Sequence, residues 1–422
     1  MTSLYIHIPF CKKKCNYCDF VSYAGKEELI EEYVEALILE FKSSPLSSPP
    51  PAENSFPSPS KMERGAESEG RGGARTIYFG GGTPTLLKPE HFEKILSAVH
   101  YPLSAEISIE SNPGTANKEK LKALRDLGIN RISIGAQSFN DKHLKSLGRI
   151  HDSKDIFRIY DDARSAGFDN INLDLIFALP NQTLDEWMED LKTAINLNPN
   201  HLSTYNLQIE EDTLLWEMIN NSNEYRVTSN EFSELPVSRY PLLVADEETD
   251  RAMYEFTIET LKANGYKHYE ISNFAKPGYE CKHNINYWKN GNYIGIGTGA
   301  HSHINGKRWA NPDSIEDYLE ARSSVTVTKP VSSFGHEVRY EQRISGIYTC
   351  LPAGTAGIET DKRETIFLGL RLLDGLPIDE FKGFEREVAE LMNDGLLEQK
   401  NSNYRLTRKG LYLGNLVFEK FV

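Results

Sequence analysis

Three cysteines lie within eight residues near the start of the chain, as Cys11-x3-Cys15-x2-Cys18. Thiolates this close together on one short loop suit a metal centre in a reducing compartment. A cubane 4Fe–4S cluster held by three thiolates has three of its irons bound to protein and the fourth open. An outside ligand with adjacent amino and carboxylate groups, such as S-adenosylmethionine (SAM), can chelate an open iron. An electron passed through the cluster can then cleave the sulfonium and release a carbon radical. Lys12, Lys13 and Lys14 fill the loop between the first two cysteines. Their charge is expected to favour thiolates and to offset an anionic cluster. Zinc is the alternative. It needs a fourth ligand such as His7 or Asp19, and zinc sites usually show two separated Cys-x2-Cys hooks.

Further chemistry-bearing residues follow. Gly80-Gly81-Gly82-Thr83-Pro84 offers backbone N–H donors that a ligand can approach closely. No Gly-Lys-Ser/Thr follows, so it is not a P-loop, and read alone it fits an ordinary tight turn equally well. Glu110 stands in ISIESNPG, Gln137 in GAQSF, Arg149 in LGRIH and Asp174 in NLDLIF. Taken singly, each charge is better explained by a structural ion pair or a surface role.

The elements that must position these residues alternate in type. Strand candidates are Leu4–Ile8, Thr76–Phe79, Glu106–Glu110, Arg131–Gly135, Asn170–Phe177 and Leu202–Ile209. Helix candidates follow at Glu27–Phe41, Pro89–Val99, Lys118–Leu127, Lys154–Ala166, Leu184–Leu197 and Asp246–Asn264. Six βα units imply a partial (β/α)6 barrel of parallel strands wrapped by helices. Such barrels carry their chemistry at the C-terminal strand ends, where the motifs fall. Polar excursions are expected at Ser43–Arg75 (disordered, rich in Pro, Ser and Gly), Asn220–Asp246 and Val331–Gly357. The rhythm stops after Tyr266. Helices at Ile378–Phe384, Glu387–Asp394 and Arg408–Phe421, with a hairpin across NSN, suggest a smaller winged-helix-like domain. The predicted division is 1–265 for the barrel, 266–330 for a segment completing it, and 358–422 for the C-terminal domain.

The chain has 422 residues and a net charge of -14, from 61 acidic and 47 basic residues. That balance disfavours nucleic acid and anionic membranes as general partners. No run approaches the ~18 apolar residues that span a bilayer, and MTSLYIHIPFC does not read as a secretory signal. A soluble cytoplasmic protein is expected.

The cysteine spacing after a first strand resembles the radical-SAM superfamily. The text YIHIPFCKKKCNYCDF is similar to the branch that holds oxygen-independent coproporphyrinogen III oxidases and the HemW-type haem chaperones. The resemblance runs from Tyr5 to about Asn311 and, more weakly, through the C-terminal domain. It implies that Cys11, Cys15 and Cys18 hold the cluster. It implies a SAM site made by Tyr5, Gly81, Gly82, Thr83, Glu110, Gln137, Arg149 and Asp174. Tyr5 matches a position on the adenine side. Glu110 and Arg149 suit the charged amino-acid end, Asp174 and Gln137 the nucleoside.

Two features divide the branch. The oxidase pattern adds a fourth cysteine where this chain has Phe20, and it has a substantial extension before the cysteines, whereas here Cys11 follows ten residues. Both departures count against porphyrinogen decarboxylation. His283-Asn284-Ile285-Asn286-Tyr287-Trp288 resembles the HNxxYW haem signature of the chaperones. A neutral imidazole can bind haem iron axially, and Tyr or Trp can stack on a porphyrin. Read without the resemblance, the segment is better explained as a buried histidine beside a packed aromatic pair. Cys281, His301 and His303 are weaker candidates. The resemblance thus implies a haem chaperone using His283, Tyr287 and Trp288. Its partners would be haem, an apo-haemoprotein at the membrane surface and an electron donor, and it would dimerise with a second copy on cluster binding.

Overall fold

The computed structural model describes residues 2–44, 74–220, 244–323, 340–344, 347–351 and 362–421. Most of the expected excursions at 43–75, 220–246 and 331–357 lie outside the described residues. The six expected strands form as β1 (Thr2–Ile8), β2 (Ala74–Gly81), β3 (Glu106–Ser111), β4 (Arg131–Gln137), β5 (Asn170–Phe177) and β6 (His201–Asn206). Each pairs in parallel with the next. The expected helices form as α1 (Ile30–Ser43), α2 (Pro89–Ala98), α3 (Lys118–Asp126), α5 (Ser153–Ser165), α6 (Leu184–Leu197) and α8 (Glu247–Ala263). Two short helices, α4 (Asp141–Ser146) and α7 (Leu214–Asn220), were not anticipated.

Local chemistry sets the helix ends. Thr183 and Glu186 form a reciprocal capping box at the start of α6, as Asp152 and Asp155 do for α5. Gly128, at φ +98°, supplies the left-handed turn after α3.

The sheet extends beyond the expected strands. β7 (Lys267–Glu270) and β8 (Asn273–Ala275) add antiparallel strands beside β6. The short helix α9 (Lys282–Trp288) follows. β9 (Tyr293–Ile296) then returns to pair in parallel with β1, β10 (His301–Ile304) and β11 (Lys307–Ala310) continue that edge, and the helix α10 (Ile315–Ser323) follows. The order is therefore β11-β10-β9-β1-β2-β3-β4-β5-β6-β8-β7.

Residues on the two faces of the central strands differ in kind. Outward positions such as Ile6, Ile77, Ile109, Ile132 and Leu173 are buried under the helices. The alternate positions, including Thr76, Ser108, Ser133, Asn172 and Ser203, are buried and polar. A strand places successive side chains on opposite faces, so the apolar core lies between sheet and helices while the barrel interior is polar. Buried polar groups must find partners or a ligand.

The C-terminal part has its own core, built around α11 (Lys362–Gly369) and α12 (Glu385–Asn393). Its small sheet comprises β12 (Leu376–Pro377), β13 (Leu397–Lys400) and β14 (Asn403–Leu406), in the order β12-β14-β13. The expected hairpin across NSN is present as β13–β14. The expected helix at Ile378–Phe384 is only a 3-10 turn, Ile378–Phe381. The expected single closing helix is broken at Leu413 into Arg408–Tyr412 and Gly414–Phe418, where two glycines, Gly410 and Gly414, weaken it. A buried Arg308–Glu364 ion pair at 2.7 Å ties α11 to β11. Among the described residues no helix is long and apolar enough to cross a membrane.

Candidate functional site

The cysteine loop leaves the C-terminal end of β1. Phe10–Cys11 pairs with Tyr23–Ala24, which folds the loop back on itself. Cys11 is buried, and Cys15 and Cys18 are partly exposed. Polar groups from distant segments meet the sulfurs. Thr83 Oγ1 lies 3.5 Å from Cys11 Sγ, and Arg149 Nη1 donates to Cys15 Sγ at 3.4 Å. Asn112 links these contacts. Its amide donates to Thr83 Oγ1 at 2.8 Å, and its carbonyl oxygen accepts from Arg149 Nη2. Hydrogen bonds thus run from Cys11 through Thr83, Asn112 and Arg149 to Cys15.

Burial pushes the Cys18 thiol up to about 11, and the neighbouring Cys15 adds to the rise. Cys11 is also raised by burial, against the Thr83 hydrogen bond. Thiols in this state need a metal to hold them as thiolates. The cation that touches a sulfur is Arg149. Lys12, Lys13 and Lys14 are exposed to solvent. Positive charge is therefore brought to Cys15 by Arg149, from the segment 146–149 that packs on the cysteine loop.

The glycine segment forms the end of β2 and continues past it, against the cysteine loop. A Cβ on Gly82 would stand 2.7 Å from the Phe10 carbonyl oxygen. At Gly81, φ is +109° and a Cβ would stand 2.5 Å from the His7 ring. Only glycine meets both demands at Gly81. The Gly81 N–H donates to Glu110 Oε2 at 3.2 Å, and the Tyr78 hydroxyl donates to Oε1 at 2.9 Å. Burial, followed by the nearby Asp174 carboxylate, pushes Glu110 up to about 7. A cationic ammonium group arriving beside it would hold it ionised.

Gly135, near the end of β4, makes room for three side chains. A Cβ there would lie 2.8 Å from Asn112 Oδ1, 3.0 Å from Gln137 Nε2 and 3.2 Å from Arg149 Nη2. Gln137 follows at a register shift with φ +66°, a strained conformation for a residue that is not glycine. Asp174 accepts from Ser133 Oγ at 2.8 Å and from Asn172 Nδ2 at 2.7 Å, while burial raises its pKa. The Tyr5 hydroxyl bonds to His7 Nδ1 at 3.0 Å, and His7 Nε2 bonds to the Val21 carbonyl at 2.7 Å. Both nitrogens of His7 are thus engaged within the fold.

The HNINYW segment lies elsewhere in the barrel. It is α9, and its N-terminus sits against the N-terminal ends of β2 and β3, opposite the cysteines. Glu106, the first residue of β3, accepts the backbone N–H groups of Lys282 and His283. His283 points into the barrel. Its Nδ1 lies 2.7 Å from Thr76 Oγ1, and its Nε2 lies 2.9 Å from the Tyr287 hydroxyl. Its ring stacks on Tyr78, with centroids 5.1 Å apart. Burial, then the Arg131 charge, lowers His283 to about 3, so the imidazole is neutral. Trp288 turns toward the C-terminal core, and the Arg371 guanidinium lies over its ring at 4.2 Å. Cys281 is buried 3.7 Å from Glu106, and burial raises it to about 12.

One cavity of about 2870 Å³ unites the two ends. Its walls include Cys11, Cys15, Cys18, Tyr5, Gly81, Gly82, Glu110, Gln137, Arg149 and Asp174, and also His283, Tyr287 and Trp288. Phe20 and His301 line it as well. Thr83 stands behind the lining, bonded toward Cys11. Sequence reasoning passed over Asn112, Gly135, Thr76, Glu106 and Arg131. The strict alternation in EISIE, RISIG and NINLD was the available signal, because it places every second polar residue on one face.

Known proteins share these features. The Radical SAM superfamily pattern matches residues 5–194, and the HemN C-terminal domain pattern matches residues 359–413. The chain is 34% identical to the heme chaperone HemW of Bacillus subtilis (strain 168), covering 100% of this chain and 99% of that one. It is 40% identical to the heme chaperone HemW of Escherichia coli (strain K12), over 72% of this chain and 70% of the relative. The fold is similar to that of the coproporphyrinogen III oxidase HemN from Escherichia coli, a radical-SAM enzyme. That match has a TM-score of 0.70 at 21% identity and covers 100% of this chain and 89% of the other.

Proposed function

The chain belongs to the HemW family within the radical-SAM superfamily, and from that premise we propose that it binds haem and passes it to an apo-haemoprotein. The observation that carries this reading is the single cavity reaching from the three thiols to the HNINYW helix. A radical-SAM protein implies a 4Fe–4S cluster and SAM. Three thiols on one cavity wall, with hydrogen-bond donors from Thr83 and Arg149 behind them, fit a cluster held on one side. When bound, the cluster would supply an open iron for SAM and a site for a single electron.

The chain's own residues do the rest. Glu110 and Arg149 receive the ammonium and carboxylate of SAM, Gly81 and Gly82 let it approach the backbone, and Thr83 orients Cys11. Gln137 and Asp174 meet the nucleoside, and Tyr5 flanks the adenine side. At the other end, His283 offers a neutral imidazole to haem iron and Tyr287 a ring face, while Trp288, expected to share that role, packs in the C-terminal core under Arg371. Both His283 nitrogens are engaged within the fold, so iron binding exchanges one of these bonds for a metal bond. The division into 1–265, 266–330 and 358–422 goes with this reading, the middle segment carrying both the haem helix and the strands that extend the β1 edge. So do a cytoplasmic protein, an acceptor at the membrane surface, an electron donor and a homodimer formed on cluster binding.

The test is a parallel anaerobic assay. Protein titrated with haem should develop a Soret band that weakens in His283→Ala, and it should convert no coproporphyrinogen III. An unchanged affinity in that variant removes His283 as the ligand. Enzyme-like turnover of the porphyrinogen replaces the chaperone reading with decarboxylation.

A further inference from the structure

Arg149, Arg308 and Arg371 all line the cavity. The first two are spent within the fold. Arg149 donates to Cys15, Asn112 and the Gly135 carbonyl. Arg308 donates to Tyr293 and Asn290 and pairs with Glu364. Arg371 differs. It is 1% exposed, and its Nε and Nη1 are buried with no hydrogen-bond partner among the described residues. Glu270 Oε2 stands 3.8 Å from Nη2, too far for a hydrogen bond. The other Glu270 oxygen, Oε1, is taken by the Ser272 N–H at 3.0 Å and by the Asn273 amide. The Arg371 guanidinium lies over the Trp288 ring at 4.2 Å, and the buried Trp288 Nε1 also lacks an acceptor among the described residues. Two touching side chains thus hold three buried donor nitrogens with nothing to receive them. Buried donors left in this state are rare and costly, and an acceptor-only ligand group relieves them.

Arg371 is a fixed part of the cavity wall. It lies two residues after α11, and its carbonyl accepts the Ile271 N–H at 3.2 Å. The Leu373 N–H donates to the Tyr269 carbonyl at 3.1 Å, so the backbone on both sides is tied to β7. Trp288 ends the helix that carries His283, five positions further on, or about 7.5 Å along the helix axis. Stacking of a guanidinium on an indole holds both groups in place. Tyr205, Tyr254, Leu411 and Phe418 line the same cavity. A cation among ring and aliphatic surfaces suits a ligand that is flat and apolar over most of its area and carries a carboxylate at its edge.

We propose that Arg371 is the receptor for a carboxylate of the porphyrin bound in this cavity, and that Trp288 is a positioning residue that holds the guanidinium. The proposal rests on the haem-binding reading above and adds to it a second anchor, away from the iron. Held at the metal and at one edge, the ring has a defined orientation, and porphyrins with free acids bind in preference to their esters.

The experiment uses the full chain and two ligands, haem and haem dimethyl ester, titrated by Soret absorbance in one detergent-containing buffer. The parent chain is expected to bind haem about 12- to 160-fold more tightly than the ester, the span of one hydrogen bond to a charged group. Arg371→Met is expected to abolish this preference by weakening haem far more than the ester. Arg371→Lys keeps the charge without the planar fork and gives an intermediate preference. It also serves if far-UV circular dichroism shows the methionine variant unfolded. Trp288→Leu is expected to lose part of the preference, and full retention removes Trp288 as the positioning residue. A parent chain that binds both ligands equally overturns the proposal. So does a preference that survives in the arginine variants. Equal weakening of both ligands in those variants assigns Arg371 to the Glu270 pair and the fold alone, and also overturns it. A parent chain that develops no Soret band with either ligand refutes haem binding itself, and the carboxylate assignment falls with it.

Discussion

The two hydrogen bonds on His283 make a prediction with opposite signs for two substitutions. If Nε2 coordinates haem iron, the Tyr287 hydroxyl at 2.9 Å must let go, while the Thr76 contact to Nδ1 at 2.7 Å persists and orients the ring. A buried neutral hydrogen bond contributes about 0.5–1.5 kcal/mol net. Removing the competing one by Tyr287→Phe keeps the ring and should tighten haem binding by about 2- to 12-fold. Removing the supporting one by Thr76→Val strips an outer-shell contact, which typically costs about 10- to 100-fold in affinity. Titration of the Soret band, with far-UV circular dichroism to confirm folding, reads both. A reversed pattern, tighter for Thr76→Val and weaker for Tyr287→Phe, would show that Nδ1 is the ligand. No change in either variant would refute His283 as the ligand altogether.

Two further predictions come from buried titratable side chains. Arg149→Met removes the guanidinium that donates to Cys15 and should shift the cluster midpoint potential to more negative values, because Arg149 favours the more anionic reduced state. A charge-assisted bond of about 1.5–3 kcal/mol corresponds to at most about 60–130 mV for one electron. An EPR-monitored redox titration checks this, and an unchanged potential at full iron content refutes it. The second concerns pH. Burial lowers His283 to about 3 and His268 to about 4, and His201 is held well below its usual range. In the unfolded chain these groups bind protons near pH 6.5. Their contribution to stability is therefore complete above pH 6.5 and is lost as pH falls toward about 3. Urea midpoints should drop across that window, and His268→Gln should shallow the drop. A midpoint that stays flat between pH 6.5 and 4 counts against the burial assigned to these rings.

Much of the fold was legible because hydrophobic periodicity is local. Asn170–Phe177 and Leu184–Leu197 form over the expected residues, since β-branched runs and capping boxes act within a few positions. Less legible were the strands after Tyr266. β9 rejoins β1 at the far edge of the sheet through pairs such as Ser3 with Tyr293, and no local pattern reports a partner nearly 300 residues away. The closing helix was misjudged because Gly410 and Gly414 weaken a segment that periodicity alone reads as continuous.

By itself, the sequence located the three clustered cysteines, the glycine turn and the polar residues at the strand ends. Each is a short-range pattern of residue type and spacing. Only the tertiary structure decided which groups touch them. Arg149 reaches Cys15 across 134 positions of chain, and Thr76 reaches His283 across 207. It also decided that the cysteines and the HNINYW helix occupy opposite ends of one cavity. Strand alternation sends every second residue inward, but only the pairing of distant segments in one sheet brings those side chains within hydrogen-bonding distance of one another.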